Sequence, residues 1–284
     1  MDSEDGTSQV TRLTFGTLRQ TRMGRLRPIF AVNTPAAPQS PRDVLSLSAP
    51  VAPAPVPLTS LVFDLGNVLY DASAWQRWLL QLLNRIGLHT HYEAFFRVFE
   101  RDYLEAVYRG EREYWDALRE FLFAVGLSRG RVEEVLAAGH GKYRELWDDV
   151  RPLPGVAATL AQLGSRGVRL GVLCNAGCSA ERLTAKLERL GLAKRFAVVL
   201  SSHDLHAAKP AAECYLAAIS ALDAPAESTG FVGHETLDLA GAGLAGMITF
   251  AVNHTADAQA DVYLERFDQL LQLVTTSGHK QRVG

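Results

Sequence analysis

The second half of the chain alternates short apolar segments with longer helical ones, and this alternation constrains the fold more than any other feature. The expected strands are 61–63, 168–173, 197–200, 230–232 and 247–252, and the expected helices are 156–164, 180–190, 211–222 and 237–245. Parallel neighbours need a crossover connection, so strands alternating with helices are typical of a parallel sheet covered on both faces. We predict an α/β fold with a doubly wound parallel sheet.

Residues from about 73 to 149 break this alternation, because they have helical periodicity and no strand signal. Apolar residues recur there at spacings of three and four, as in Trp75, Trp78, Leu79 and Leu82. The glycines at 87, 110 and 126 are plausible helix ends. The sequence therefore predicts a helical domain at 72–149, inserted into an α/β domain formed by 58–71 and 150–275.

The first 57 residues differ in composition from the rest. They are rich in Ser, Thr and Arg and then in Pro and Ala, as in the stretches 34–38 and 49–55. A segment of this kind buries too little apolar surface to offset its ordering entropy. We expect 1–57 to be a disordered extension, and we favour an extension without function over a targeting segment.

The composition limits the classes of partner. The 284 residues are 48% hydrophobic and 21% charged, with a formal net charge of −2. This balance does not favour nucleic acid or an anionic membrane surface as a partner, and we expect a soluble protein. The three cysteines form neither a disulfide framework nor a two-pair zinc pattern, which fits a reducing cytoplasm.

Four segments with polar residues follow the expected strands or lie close to their ends. They are Asp64-Leu65-Gly66-Asn67, Cys174-Asn175, Lys209-Pro210 and Gly233-His234-Glu235-Thr236-Leu237-Asp238. Ligands of open α/β sheets bind at the carboxyl ends of the strands, so we expect these segments to share one site. Asp64 has the placement of a carboxylate nucleophile, although taken alone it could equally cap the next helix.

In this order the four segments resemble the motifs of the haloacid dehalogenase superfamily, over about residues 59–255. The helical insertion resembles the subgroup with an α-helical cap, which includes phosphoglycolate phosphatase-like and haloacid dehalogenase-like proteins. The resemblance implies that Asp64 is the nucleophile, that Lys209 neutralises it, and that Asn67, Cys174 and Asn175 bind the substrate. It also implies Mg²⁺ held by Asp64, the Gly66 carbonyl and Asp238.

Three positions depart from the family pattern. Gly66 replaces the acid that protonates the leaving group, and general acid help is typically worth about 10²- to 10⁴-fold. Cys174 replaces a Ser or Thr, and a thiol is the weaker donor. His234 replaces the first acid of the fourth motif, and imidazole suits transition metals better than Mg²⁺. Asp71 is a possible substitute acid and Glu235 a possible substitute ligand.

Three functions remain open. We favour a phosphatase that acts on a small phosphorylated metabolite through an aspartyl-phosphate, as a monomer or homodimer. A pseudoenzyme with a binding role comes second, and a metal-independent hydrolase of the dehalogenase type comes third. The cap would choose the substrate, and its candidate residues for this role are Arg77, Arg101, Tyr103 and Arg109.

Overall fold

The computed structural model describes residues 56–275, in which a parallel sheet organises the main body. The strands are β1 (Val56–Pro57), β2 (Ser60–Phe63), β3 (Arg169–Cys174), β4 (Val198–Ser201), β5 (Thr229–Gly233), β6 (Ile248–Val252), β7 (Val262–Leu264) and β8 (Val274–Thr275). Six of them form one sheet in the order β4-β3-β2-β5-β6-β7, with every pair parallel. β1 and β8 pair separately.

Helices connect the strands and fill the insertion after β2. They are α1 (Ser73–Arg85), α2 (Tyr92–Phe99), α3 (Glu105–Tyr108), α4 (Tyr114–Ala124), α5 (Arg129–Asp148), α6 (Val156–Ser165), α7 (Ala180–Arg189), α8 (Ser202–Leu205), α9 (Ala212–Ala221), α10 (Thr236–Leu244) and α11 (Leu270–Leu273). A π-helical segment, Glu100–Leu104, joins α2 to α3.

The side chains of β2 show how the sheet is covered on both faces. Successive residues of a strand point to opposite faces. Leu61 and Phe63 enter one apolar cluster, while Val62 enters a second cluster together with Phe231. All four side chains are fully buried. Burial of each contributes about 1.5–3 kcal/mol, and this double coverage explains why β2 is an uninterrupted apolar run.

Helices α1 to α5 form a cap with an apolar core of its own. Buried members of this core include Leu79, Leu83, Phe99, Leu118 and Val135. Two connecting segments lead to the sheet, and Tyr70 lies where they meet, bridged to both Gly66 and Pro152. The fold class predicted from the sequence, a doubly wound parallel sheet with an inserted helical cap, is confirmed. The domain limits 58–71, 72–149 and 150–275 stay predictions.

The cap contacts α7 through a cation–π contact and an ion pair. The Lys186 ammonium lies 4.5 Å from the ring centre of Trp147, in the cap, and 4.7 Å from that of Tyr70. Arg189 also pairs with Asp148 of the cap at 2.8 Å. A desolvated cation over an aromatic face contributes up to about 2 kcal/mol. These contacts hold the end of α5 against the sheet domain.

The expected strands and helices of the second half occur close to their predicted limits, because the strands are apolar runs between turn residues and the helices observed at the expected places are nine or ten residues long. The short elements escaped prediction. β7 has three residues and α11 has four, too few for alternation or helical spacing to be visible. The predicted extension 1–57 lies outside the described residues except for Val56 and Pro57, which form β1.

No helix within residues 56–275 combines the length and the apolar character needed to cross a bilayer.

Two glycines of α10 provide a matched test of the packing against α9. A Cβ on Gly241 would lie 2.8 Å from the Tyr215 hydroxyl and 2.9 Å from the Pro210 Cβ, whereas a Cβ on Gly243 would meet nothing nearer than Thr249 at 3.9 Å. We expect Gly241→Ala to lower the free energy of unfolding by about 1–3 kcal/mol through overpacking. Gly243→Ala should raise it by about 0.5–1 kcal/mol through helix propensity.

Urea denaturation of both variants measures this difference. Equal stability of the two variants would contradict the close approach of α10 to Tyr215.

Candidate active site

The central position of β2 brings the four motif segments together. β2 lies between β3 and β5, and all three strands run in the same direction. Asp64 therefore follows β2 beside Cys174, the last residue of β3. On its other side is the loop from β5 into α10, and Asp238 lies in the first turn of α10. Lys209 reaches the same edge from the loop between α8 and α9.

Lys209 is the centre of the site. Its Nζ lies 3.0 Å from Asp64 Oδ1 and 2.5 Å from Asp238 Oδ2. The three residues are each at most 6% exposed. Unpaired charges would be very costly at this depth, so the ammonium and the two carboxylates depend on each other. The predicted convergence of Asp64, Lys209 and Asp238 is what the structure describes.

The charges of the site set the ionisation of its carboxyl groups. Burial alone would raise the pKa of Asp64, but the charges of Lys209 and His234 hold it well below its usual range. For Asp238, burial outweighs the charge and hydrogen bond of Lys209, and together with the charge of Asp64 it raises the pKa. Burial opposes the charged form of Lys209, yet Asp238 and Asp64 raise its pKa well above the ordinary value. Asp64 is thus a permanently ionised group at neutral pH.

His234 approaches the other oxygen of Asp64. Its Nδ1 lies 3.3 Å from Asp64 Oδ2. The two groups are not aligned as a hydrogen bond, since Nδ1 is buried without a partner of good geometry within the described residues. Burial works against a charged ring, but Asp64 and then Glu235 outweigh it and raise the pKa of His234. Glu235 lies at the outer side of the ring, 3.5 Å from Nε2.

Cys174 and Asn175 have different surroundings at the end of β3. Burial, together with the charge of Asp64, raises the pKa of Cys174 far above neutrality, so the group is a thiol. A nucleophilic role would require a thiolate. The Asn175 amide is occupied by the backbone of Lys209, accepting its N–H at 2.8 Å and donating to its carbonyl at 3.0 Å. Asn175 thereby positions the lysine.

The turn after Asp64 has unused donors. The backbone N–H groups of Leu65 and Gly66 donate to no acceptor within residues 56–275. Asn67 has the left-handed backbone with φ of 55°, which asparagine tolerates better than most residues. A Cβ on Gly66 would lie 3.0 Å from the Cβ of Ala72. The missing acid could therefore return at this position only if the start of α1 moved.

The four cap residues proposed from the sequence for specificity divide by their contacts. Arg77 pairs with Asp71 at 2.7 Å and Arg101 pairs with Asp102 at 2.5 Å. Arg109 contacts Glu105 and Glu111, and Tyr103 packs against Phe99 and Phe121. The three arginines are thus engaged by neighbouring carboxylates of the chain, and the assignment of specificity to these four residues stays a prediction.

Glu100 is a site candidate that the sequence reasoning missed. It starts the π-helical segment and accepts a hydrogen bond from Gln76 Nε2 at 3.3 Å. Although solvent reaches Glu100, loss of hydration and the charge of Glu235 raise its pKa to about 7, against a smaller opposite effect of His234. The charges of Glu235 and His234 therefore both act on this carboxyl. A π-helical turn is often found at functional sites, but no residue type predicts it from the sequence.

The residues that the resemblance assigns to Mg²⁺ do not fit this ion, because their carboxylate oxygens are in contact with Lys209 and His234. The two oxygens of Asp64 face Lys209 and His234, and Asp238 Oδ2 faces Lys209. Within residues 56–275 no cluster of three or more His, Cys, Asp or Glu side chains could hold a metal ion. Mg²⁺ requires oxygen ligands in near-octahedral order, and here Lys209 and His234 lie against both oxygens of Asp64 and Lys209 lies against one oxygen of Asp238.

The central ion pairs lead to a prediction for stability. Lys209→Met should lower the free energy of unfolding by about 3–5 kcal/mol, because it leaves two carboxylates buried without their counter-ion. The loss should shrink as the pH falls toward about 4, where protonation removes the uncompensated charge. Lys186→Met is the matched control, with an expected loss of at most about 2 kcal/mol. Thermal melts from pH 4 to 8 measure both, and a loss that does not depend on pH would contradict the buried-charge explanation.

The chain is similar to known proteins over most of its length. The family model of haloacid dehalogenase-like hydrolases matches residues 59–246. A ribulose-1,5-bisphosphate 5-phosphatase of Halopiger xanaduensis is 26% identical over 73% of this chain and 90% of its own length. A phosphoglycolate phosphatase of Synechococcus elongatus is 27% identical over 77% of this chain and 98% of its own.

The fold is also similar to solved structures. An L-2-haloacid dehalogenase of Xanthobacter autotrophicus superposes with a TM-score of 0.54 at 19% identity, covering 77% of this chain and 100% of the other. Such a likeness concerns the architecture alone. The family match, in contrast, spans more than half of the sequence and includes all four segments that meet at the edge of the sheet. The chain therefore belongs to the haloacid dehalogenase-like hydrolases.

Proposed function

We propose that the protein is a phosphatase that hydrolyses a small phosphorylated metabolite through an aspartyl-phosphate at Asp64. The observation that carries this proposal is the position of the Lys209 ammonium, 3.0 Å from Asp64 Oδ1 in a buried site. This cation keeps the carboxylate ionised and can neutralise the phosphoryl oxygens that approach it. Relatives named for phosphatase activity on ribulose-1,5-bisphosphate, phosphoglycolate and glyceraldehyde 3-phosphate support the substrate class.

In the first step, an oxygen of Asp64 attacks phosphorus and the bond to the leaving oxygen breaks. The N–H groups of Leu65 and Gly66, directly after the nucleophile, are candidate donors to the phosphoryl group, and the thiol of Cys174 would have to leave the Asn175 carbonyl, to which it donates at 3.4 Å, in order to join them. In the second step, water attacks the aspartyl-phosphate, releases inorganic phosphate and restores the carboxylate. We assign Asn175 and Asn67 to positioning, because backbone groups or His234 already occupy their amides.

The leaving group needs a proton that Gly66 cannot supply, and we propose Glu100 as its source. A carboxyl group with a pKa of about 7 is half protonated near neutrality and can both give and take a proton. Glu100 would protonate the leaving oxygen in the first step and deprotonate water in the second. Asp71, the substitute acid considered from the sequence, is held instead by Arg77 and Ser73, which lower its pKa despite the opposing effect of burial.

Removal of the nucleophile is the central test. Asp64→Asn should abolish phosphate release, because an amide is a far weaker nucleophile than a carboxylate. Phosphate release is measured on a panel of phosphorylated metabolites with Mg²⁺, Mn²⁺, Co²⁺ or EDTA, and 2-haloacids are included to detect dehalogenation. Asp71→Asn, which changes an exposed carboxylate in the same region, is the matched control.

Each outcome of this panel has a clear meaning. A wild-type protein that is inactive on every phosphate would overturn the phosphatase proposal in favour of a binding role. Activity that survives Asp64→Asn would exclude Asp64 as the nucleophile. Halide release without phosphate release would place the protein with the dehalogenase type.

The proposed proton donor, Glu100, can be tested by the dependence of the rate on pH and on the leaving group. We expect the wild-type rate to fall as the pH rises through about 7, and Glu100→Gln should remove this fall and lower kcat by roughly 10²-fold on an alkyl phosphate. The same variant should lose far less activity on p-nitrophenyl phosphate, whose leaving group departs without a proton. Glu93→Gln, on the exposed surface of α2, is the control. Equal losses on both substrates would show that Glu100 does not donate the proton.

A further inference from the structure

The amide of Asn67 has a fixed orientation, and this decides which atom of His234 carries a proton. Asn67 Oδ1 accepts a hydrogen bond from the backbone N–H of Ala72 at 3.0 Å. The other end of the amide, Nδ2, is therefore the atom that lies 3.3 Å from His234 Nε2. A reversed amide would set its NH₂ group against the Ala72 N–H, which also donates. Asn67 is held further by Asn253, whose Nδ2 donates to the Asn67 carbonyl at 3.0 Å.

An amide NH₂ only donates, so Nε2 of His234 must accept and the ring hydrogen resides on Nδ1. That nitrogen lies 3.3 Å from Asp64 Oδ2 and is buried without an aligned partner in the described part of the chain. The hydrogen thus points into the site beside the nucleophile. Glu235 Oε1, 3.5 Å from Nε2 on a side chain that is 55% exposed, is the only carboxylate paired with the outer nitrogen within residues 56–275.

A protonated Nδ1 has no lone pair for a metal ion, and it lies beside the carboxylate oxygen that a metal ion would need. We infer that His234 takes the place of the divalent cation of the family. Its Nδ1–H would be a fixed hydrogen-bond donor to an oxygen of the phosphoryl group that is transferred to Asp64. The inference rests on the proposed phosphatase function and deepens it, because the reaction would then proceed without a metal. Preorganised donors of this kind, aimed at developing charge, contribute on the order of 10²- to 10³-fold to a rate.

Metal binding tests the inference without any reference to activity. The full chain is titrated with Mn²⁺ and followed by electron paramagnetic resonance. The wild type should show no saturable site, whereas His234→Asp should gain one, because it replaces the N–H by a hard oxygen ligand. His234→Asn keeps an N–H close to the place of Nδ1 and should bind no Mn²⁺. A saturable wild-type site from which Mg²⁺ displaces Mn²⁺ would overturn the inference.

Phosphate release in excess EDTA is the second measurement. The wild type should be as active in EDTA as with Mg²⁺. His234→Asn should keep most of this activity, His234→Ala should lose about 10²-fold or more, and His234→Asp should become dependent on added metal. Equal activity of the Asn and Ala variants in EDTA would exclude the role of the N–H donor, and a wild type that needs metal would exclude the inference as a whole.

The ring proton can be observed directly. The ¹⁵N chemical shifts of His234 in labelled protein distinguish hydrogen on Nδ1 from hydrogen on Nε2, and we expect hydrogen on Nδ1. Titration with inorganic phosphate in EDTA should perturb these signals in the wild type. If the wild type binds phosphate without metal but hydrolyses no substrate, the proposed function fails and the inference about His234 stands. If it hydrolyses substrates only with metal, the inference fails and the proposed function stands.

Discussion

One buried ammonium group, that of Lys209, determines how the active site is assembled. It neutralises Asp64 and Asp238, which come from different segments and would be too costly to bury without it. The lysine is itself placed by Asn175, whose amide holds both the N–H and the carbonyl of its backbone. The end of β3, the end of β2 and the start of α10 are thereby fixed to one another through a single side chain.

The sequence predicted the sheet and the meeting of the four segments, because both follow from short-range patterns and from the rule that parallel strands end at one edge. It could not predict how side chains divide their hydrogen bonds. Asn175 was expected to contact the substrate, yet its amide is occupied by a loop 34 residues away. Glu100 was not singled out, since its raised pKa depends on its surroundings in the folded chain, at the start of a π-helical turn.

The departures from the family pattern have counterparts in the structure. Gly66 lacks an acid, and the space for one is limited by Ala72, while loss of hydration and the charge of Glu235 raise the pKa of Glu100 to about 7. Cys174 is a neutral thiol, and the backbone N–H groups of Leu65 and Gly66 remain available as donors. His234 fills the region next to the nucleophile with an imidazole. Gly66 and His234 are thus the two positions at which this chain lacks a carboxylate of the family pattern.

The position of β2 in the middle of the sheet has a consequence for the order of folding. Both neighbours of β2 follow the cap in sequence, and the Ser60–Thr229 contact spans 169 residues. Closing such long loops is slow, whereas the cap helices are joined by short turns and make mostly local contacts. The cap can therefore collapse early around its own core. Asp64 acquires its place between β3 and β5 only when those distant strands have docked, so this topology favours a cover that forms before the site beneath it.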